Sequence, residues 1–334
     1  MYNYFMQADE AKAHLKRAIE YRGQGRLTLA RSALQRVLEA DPWNEKALTE
    51  LSNWQREEGD VSPIVRHLRS ASPYIDRYEI PSSLIEQTIE FGYITWPLTI
   101  RRFINGKDVV DIGCGSGVHA LGFMLAGANS YTGLDPLISF ESTLAKHKRQ
   151  RKWIEFGWNA RQIMEVLPGV QLIAGTFEDV APNRLFDIAA LHYTTEHLHR
   201  IADVFASIAC HLHPNGQLIF QHHNFYAWNG HHMQPKTISD IKVGDDKQQR
   251  YVDWNHLQFV NEFDPAIERK VNEIRIEELR ELTKQLFTIE EWRLTPTKPK
   301  EGGGRLTEEI RARWSQYGSE ELTTQSVFCV ARRA

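Results

Sequence analysis

Residues 109–117 read Val109-Val110-Asp111-Ile112-Gly113-Cys114-Gly115-Ser116-Gly117, and Asp135 follows 18 positions after the last glycine. Val109, Val110 and Ile112 make a short apolar run of strand type, the glycines open a turn, and Val118 to Ala126 resumes with helical spacing. Glycine lets the backbone turn sharply and leaves room for a ligand against the main chain. Thr132-Gly133-Leu134-Asp135 reads as the end of a second strand carrying a carboxylate. A carboxylate at that place accepts hydrogen bonds from both hydroxyls of a ribose. The dinucleotide fingerprint G-x-G-x-x-G fails, because its last position, counted from Gly113, is Val118.

From residue 108 onward the chain alternates strand and helix signals. Strands are predicted at 108–112, 130–134, 170–174, 186–191 and 216–222, with helices between, which is the pattern of a parallel α/β sheet. Residues 225–273 break the rhythm; they are polar, aromatic and weakly periodic, and read as an insertion near the carboxyl edge of the sheet. A helix at Ile274–Leu286 and strands at 286–294 and 323–331 follow, joined by a flexible turn at Glu301-Gly302-Gly303-Gly304.

The pattern D-x-G-x-G-x-G resembles motif I of the class I S-adenosylmethionine-dependent methyltransferases. Two later segments agree with it in order. Leu185 to Leu191 leads into His192-Tyr193-Thr194-Thr195-Glu196-His197-Leu198, whose Glu-His-Leu ending matches the family, and Pro214-Asn215-Gly216-Gln217-Leu218 resembles its turn into the fifth strand. Asn215 there replaces a glycine and tolerates the same left-handed backbone. The resemblance implies a doubly wound, mostly parallel seven-stranded sheet with the last strand antiparallel. It implies S-adenosylmethionine as cofactor, held by Asp111, Gly113, Cys114, Gly115, Gly117 and Asp135. After the third strand, Gly175-Thr176-Phe177-Glu178-Asp179 is the place where an acidic residue binds the adenine amine; Glu178 and Asp179 are both candidates beside Phe177.

Histidine is the unusual residue. Nine of the fourteen lie between His192 and His232. An oxygen acceptor gains from a base that removes its proton as it attacks the methyl group, and histidine titrates near neutrality. His192 closes the fourth strand and His222 and His223 close the fifth; His192 and His223 are the leading bases, with His222, Glu196 and His197 beside them. Tyr226, Trp228, His231 and His232, with Trp254 and His256 further on, supply rings and polar tips for a small or glycan-like acceptor. No metal is required. The alternative is a divalent ion on Glu196, His197 and His222 or His223, because some relatives carry E-x-x-E-H with further histidines; Tyr193 stands where the first of those acidic residues belongs. His199, His211 and His213 read as ordinary polar residues.

Residues 1–62 are helical. Ala18, Gly25, Leu27, Ala30, Leu34, Val37 and Pro42 match the spacing of a tetratricopeptide repeat; a second copy starts at Glu45 and is interrupted at Pro63. Three parts are expected: an α-helical arm (1–62), a helical connector (63–106) with a helix at 83–90 and with Tyr93 and Trp96 over the cofactor pocket, and the cofactor-binding domain (107–334). Such an arm packs on the chain, on a second copy or on a protein partner.

The net charge of −3 provides no basic field for nucleic acid. Three cysteines outside any C-x-x-C pair suit a reducing cytoplasm. No signal peptide is apparent at the start, and no apolar run approaches the roughly 18 residues of a membrane span. The reading is therefore a cytoplasmic methyltransferase acting on an oxygen of a small acceptor. A metal-assisted RNA methyltransferase and a non-catalytic cofactor-binding scaffold are its competitors.

Overall fold

The computed structural model describes residues 2–58, 62–142, 144–147, 152–155, 157–260 and 271–334. Nine strands are formed among the described residues: β1 (Asp108–Ile112), β2 (Ser130–Leu134), β3 (Leu144–His147), β4 (Lys152–Glu155), β5 (Val170–Ile173), β6 (Phe186–His192), β7 (Leu212–His223), β8 (Phe287–Pro296) and β9 (Thr324–Arg333). Seven of them make one sheet in the order β5-β2-β1-β6-β7-β9-β8, while β3 and β4 form a separate antiparallel pair that the sequence pattern does not announce. The pairs β1–β6, β2–β5 and β6–β7 are parallel, and β9 runs antiparallel to both β7 and β8. Strands covered on both faces carry near-continuous apolar runs; in β6 and β7, Ile188 to Leu191 and Leu218 to Phe220 are buried.

The chain divides into two compact units, Met1–Asp108 with Cys114–Gly175, and Val109–Gly113 with Thr176–Ala334. In the first unit the N-terminal helices and the first part of the sheet share a core. Gly122 of the helix Ala120–Leu125 shows why: an added Cβ there would lie 2.9 Å from the Pro97 ring and 3.1 Å from the Tyr93 carbonyl. Tyr93 and Trp96 are buried, and the Tyr93 carbonyl bonds His119 Nδ1 at 2.8 Å, so this connector docks helix on helix.

The N-terminal helices follow their apolar spacing. In Leu27–Ala40 the buried positions are Ala30, Ala33, Leu34, Val37 and Leu38, one stripe of a 3.6-residue period. Asn44 accepts from the Ala47 N–H at 3.1 Å and starts the helix Glu45–Glu58. Pro63 does not end a repeat; it stands in the first turn of the helix Ser62–Ala71, where the missing N–H costs nothing. The predicted helix over 83–90 is Ser82–Glu90.

In the second unit the insertion folds as short turns, with 3-10 segments at Ile238–Asp240 and Val252–Val260; its stretch 261–270 lies outside the described residues. Two local expectations change. β7 begins at Leu212, and its pairing slips from Phe186↔Leu212 to Ile188↔Gln217, so Pro214-Asn215-Gly216 is an irregularity inside the strand; Asn215 is not among the residues with positive φ. The glycine run is a packed turn, since a Cβ on Gly302 (φ +96°) would fall 2.1 Å from Trp228 Cγ. Among the described residues no helix is long and apolar enough to cross a membrane.

Candidate functional site

The glycine-loop residues fall in both units. In the first, Gly115 donates its N–H to Asp135 Oδ2 at 2.9 Å, and Leu137 N–H bonds Oδ1 at 2.8 Å, which fixes the carboxylate at the carboxyl end of β2. A Cβ added to Gly115 meets nothing within 4 Å, so the backbone there faces open space that suits close approach of a ligand. Cys114 differs from expectation: its buried sulfur lies 2.7 Å from where a Gly133 Cβ would be, so its side chain packs against β2.

In the second unit Asp111 is 2% exposed on β1, and Gly113 at its end faces Thr194. Asp179 is spent on local structure. Its Oδ2 accepts the Thr176 N–H at 2.9 Å and caps the turn Phe177–Asp179, leaving Glu178 exposed and outside that box. Phe177 is buried, with its ring stacked on His211 at 4.7 Å.

The ends of β6 and β7, entirely within the second unit, enclose a cavity of about 430 Å³ whose walls include Tyr193, Glu196, His197, His223, His232 and Gln325. One wall is the turn after β6. Tyr193 takes φ +53° and is held by its N–H on the Gln221 carbonyl at 2.8 Å and by Gln221 Nε2 on its hydroxyl at 2.9 Å. Thr195–His197 follows as one 3-10 turn. Asn272, which no sequence pattern singles out, clamps this turn: its Nδ2 donates to the Thr195 and Leu198 carbonyls at 2.8 and 2.9 Å, and its N–H to the Glu196 carbonyl at 2.7 Å.

Clamped there, Glu196 is 1% exposed, and neither carboxyl oxygen has a hydrogen-bond partner. Burial pushes its pKa up to about 8; the N–H groups of Glu196 and His223 and the Thr195 hydroxyl lie near enough to oppose that rise but outside bonding geometry.

The other wall is the end of β7 and the chain beyond it. Successive strand residues face opposite sides, so His222 and His223 separate. His222 is 1% exposed and pairs through Nδ1 with Thr195 Oγ1 at 2.9 Å, away from the cavity. His223 lines the cavity, with Nδ1 2.7 Å from His232 Nε2 and Nε2 2.7 Å from Gln325 Nε2. Asn224, fully buried, turns the chain by donating to the Glu321 and Thr324 carbonyls at 2.7 and 2.8 Å. His232 then adopts φ +55°, and the His197 ring lies 5.1 Å from it. Burial holds His222 down at about 3 and His223 at about 4, so both rings are neutral at pH 7. Glu196, His223 and His232 each place one ligand-type atom within 4.8 Å of the others.

Several expected site residues lie elsewhere. His192 ends β6 half-buried, tilted 4.7 Å from the Tyr193 ring, and is not part of the cavity wall. Of the six acceptor candidates only His232 lines the cavity. Tyr226, Trp228 and Trp254 form the insertion's own core with Tyr251, Leu257 and Ile310. Their polar tips are used internally: Tyr226 hydroxyl to the Glu273 carbonyl at 2.9 Å, Trp228 Nε1 to Asp253 at 3.2 Å, and Trp254 Nε1 to the Tyr226 carbonyl at 3.0 Å. His231 and His256 are fully buried with rings 4.9 Å apart. The alternative metal set loses His222; His223 and His232 stand in its place beside Glu196, with His197 adjacent.

A family model described as a methyltransferase domain matches residues 93–286. No curated protein matches the sequence. Among solved structures, an S-adenosylmethionine-dependent methyltransferase from Mesorhizobium loti is 16% identical, covering 72% of this chain and 98% of its own, with a TM-score of 0.42. Magnesium protoporphyrin IX methyltransferase from Synechocystis, with bound S-adenosylhomocysteine, is 15% identical over 75% of this chain and 83% of that one, with a TM-score of 0.39. Burkholderia thailandensis 1,6-didemethyltoxoflavin-N1-methyltransferase, with its acceptor and S-adenosylhomocysteine bound, is 13% identical over 73% and 80%, with a TM-score of 0.41.

Proposed function

The chain belongs to this methyltransferase-domain family, whose methyl donor is S-adenosylmethionine, and from that membership we propose that it methylates a hydroxyl oxygen of a small polar acceptor held in the cavity at the ends of β6 and β7. The observation that carries the proposal is Glu196: a carboxyl group buried in the cavity wall with both oxygens unpartnered. Burying such a group without a partner costs free energy, and an acceptor hydroxyl supplies the missing bond.

Bound S-adenosylmethionine supplies an electrophilic methyl group on a sulfonium sulfur. On this reading Asp135 accepts from the ribose hydroxyls and Asp111 meets the amino group. Glu178 takes the adenine amine, because Asp179 is engaged at its cap. In the acceptor cavity both nitrogens of His223 are engaged, by His232 and Gln325, so Glu196 rather than a histidine takes the hydroxyl proton, in its ionised form, which gains population as pH rises toward about 8. Tyr193 and His197 line the same wall and orient the acceptor.

The N-terminal helix pair is read as the tetratricopeptide-type hairpin that its spacing resembles. Its exposed Ile19, Leu27 and Leu29 are the surface it offers to a partner or a second copy. Cys114, Cys210 and Cys329 form no disulfide with one another, which suits a reducing compartment such as the cytoplasm.

The test combines calorimetric titration of S-adenosylmethionine with transfer of labelled methyl to a panel of hydroxylated small molecules. Asp135→Ala is expected to weaken cofactor binding at least tenfold. Glu196→Gln is expected to bind cofactor normally and to lose about 10²-fold or more of the transfer rate, the usual contribution of a positioned base. Absence of cofactor binding by the folded protein overturns the function; full activity of Glu196→Gln overturns the role of the cavity.

A further inference from the structure

Glu196, His223 and His232 come from three separate segments: the turn after β6, the last residue of β7, and the loop nine residues beyond it. Their donor atoms nonetheless lie within 4.8 Å of one another. One feature is costly for a site with nothing in it, and a second brings two ring nitrogens together beside it. The Glu196 carboxyl is 1% exposed with neither oxygen partnered. His223 Nδ1 and His232 Nε2 face each other at 2.7 Å, so one must donate a proton to the other's lone pair. A cation between them accepts both lone pairs and the carboxylate together.

We propose that Glu196, His223 and His232 form a binding site for a divalent transition cation of the zinc class. Two imidazoles and one carboxylate are the donor set of zinc, cobalt and related ions, not the all-oxygen set of magnesium or calcium. Ligating nitrogens about 2.0–2.1 Å from a tetrahedral ion stand about 3.3 Å apart. The two rings therefore separate by about 0.6 Å from their 2.7 Å contact when the ion enters. Ligation through His223 Nδ1 puts the ring proton on Nε2, so the Gln325 amide, whose Nε2 lies 2.7 Å from that nitrogen and whose Oε1 has no partner, must turn to present Oε1 as the acceptor. Such an outer partner fixes the ring's orientation toward a metal. His232 is carried into place by its left-handed backbone, φ +55°. The His197 ring, 5.1 Å from that of His232, borders the remaining approach.

Three protein ligands leave one tetrahedral position open. On the proposed function, the acceptor hydroxyl occupies that position, and coordination lowers the pKa at which its proton leaves for solvent. The ion then does what Glu196 does alone in its absence. This consequence rests on the functional reading; the site itself does not.

The experiment uses full-length untagged protein, freed of metal with a chelator and titrated with Co²⁺, whose visible absorption reports nitrogen and oxygen ligation. One Co²⁺ per chain is expected, displaced by Zn²⁺. Glu196→Gln and His232→Ala should each weaken binding at least tenfold, while His199→Ala, an exposed histidine beyond the turn, should leave it unchanged. Circular dichroism confirms that each variant is folded. No Co²⁺ signal from the folded wild type, or binding unaltered in both variants, overturns the site. Methyl transfer is measured in parallel with and without chelator. Activity that persists with no Co²⁺ bound removes the metal and leaves the function standing. Co²⁺ binding without any cofactor binding does the reverse.

Discussion

Replacing Gly113 by alanine probes the contact between the glycine loop and the cavity wall, and its two costs can be separated. Gly113 has φ +74°, and an added Cβ would lie 2.4 Å from Thr194 Cγ2 and 2.6 Å from Thr194 Oγ1. The left-handed backbone alone costs alanine about 1–2 kcal/mol. Carbon atoms pack at about 3.5–4.0 Å, so Thr194 must also retreat by about 1 Å. Thr194 is 9% exposed and leads into the 3-10 turn that carries Glu196, so it has little room to do so. Overpacking of this kind costs about 1–3 kcal/mol. The total expected loss is roughly 2–5 kcal/mol. Thr194→Ala removes both offending atoms and leaves only its Cβ, 3.0 Å from the new methyl. In that background Gly113→Ala should retain the backbone cost, about 1–2 kcal/mol, and only a small residual crowding against that Cβ. The double-mutant cycle should therefore show a favourable coupling of about 1–3 kcal/mol, well above the roughly 0.3–0.5 kcal/mol scatter of independent sites. Urea unfolding of the four proteins, followed by tryptophan fluorescence, measures it. Strict additivity would refute the claim that the glycine loop is seated on the turn carrying Glu196.

Two further outcomes are expected. Burial lowers His256 from 6.5 to about 4, against the raising effect of the Phe225 and Tyr251 carbonyls. Between those values the unfolded chain binds the extra proton, so the contribution of His256 is whole above pH 6.5 and is lost as pH falls toward 4, at up to about 1.4 kcal/mol per pH unit. His256→Gln should flatten the stability profile over that window by up to one proton's slope; a profile with unchanged slope contradicts the assignment. The second outcome separates the acidic pair after β5. Asp179→Ala should cost about 0.5–2 kcal/mol of stability through loss of its cap, whereas Glu178→Ala should leave stability within about 0.5 kcal/mol and weaken cofactor binding. Equal effects of both on binding would remove the distinction.

Strands such as β1 and β6 were legible because each is an apolar run bounded by turn residues, a signal local to the segment itself, while β8, with Glu290, Glu291 and Arg293, is read from its place after the helix. The acceptor side was less legible, for physical reasons. His222 and His223 are adjacent, so they must point to opposite faces of β7, but the sequence does not give the parity. That parity is set by the irregularity at 213–216, where Gly216 fits with its absent Cβ only 3.0 Å from the Asp187 carbonyl. His232 depends on a left-handed residue that no propensity predicts. Asn272 and Gln325 act through single amide contacts and belong to no motif. The aromatic residues misled in the opposite direction. Tryptophan and tyrosine with satisfied polar tips are what a binding platform needs, and equally what an insertion needs to build its own core. The closed cluster around Trp228 and Trp254 shows that the second use applies.

Strain and unmet bonding coincide in the cavity, and together they bear on function where neither does alone. Tyr193 and His232 both hold left-handed backbone without being glycine, a cost of order 1–3 kcal/mol each. Asp253 and Trp254 carry the same kind of strain, at φ 52° and 64°, yet they lie in the insertion core. There the strain is answered by bonds: Arg305 grips Asp253 through contacts of 2.5 and 2.6 Å, and Trp254 reaches the Tyr226 carbonyl. Left-handed backbone therefore does not by itself mark a functional position. Around the cavity the compensation stops one group short. Tyr193 is tied to Gln221 and His232 to His223, while Glu196, carried on the turn that Tyr193 begins, is left with two buried oxygens and no donor in bonding geometry. His231 Nε2, His256 Nδ1 and Trp314 Nε1 beside the aromatic core also lack partners, so an unmet polar atom is not peculiar to the cavity; Glu196 differs in being a carboxyl with both oxygens unmet on a cavity wall, and that is the physical ground for the proposal that a donor or cation from outside the chain meets it there.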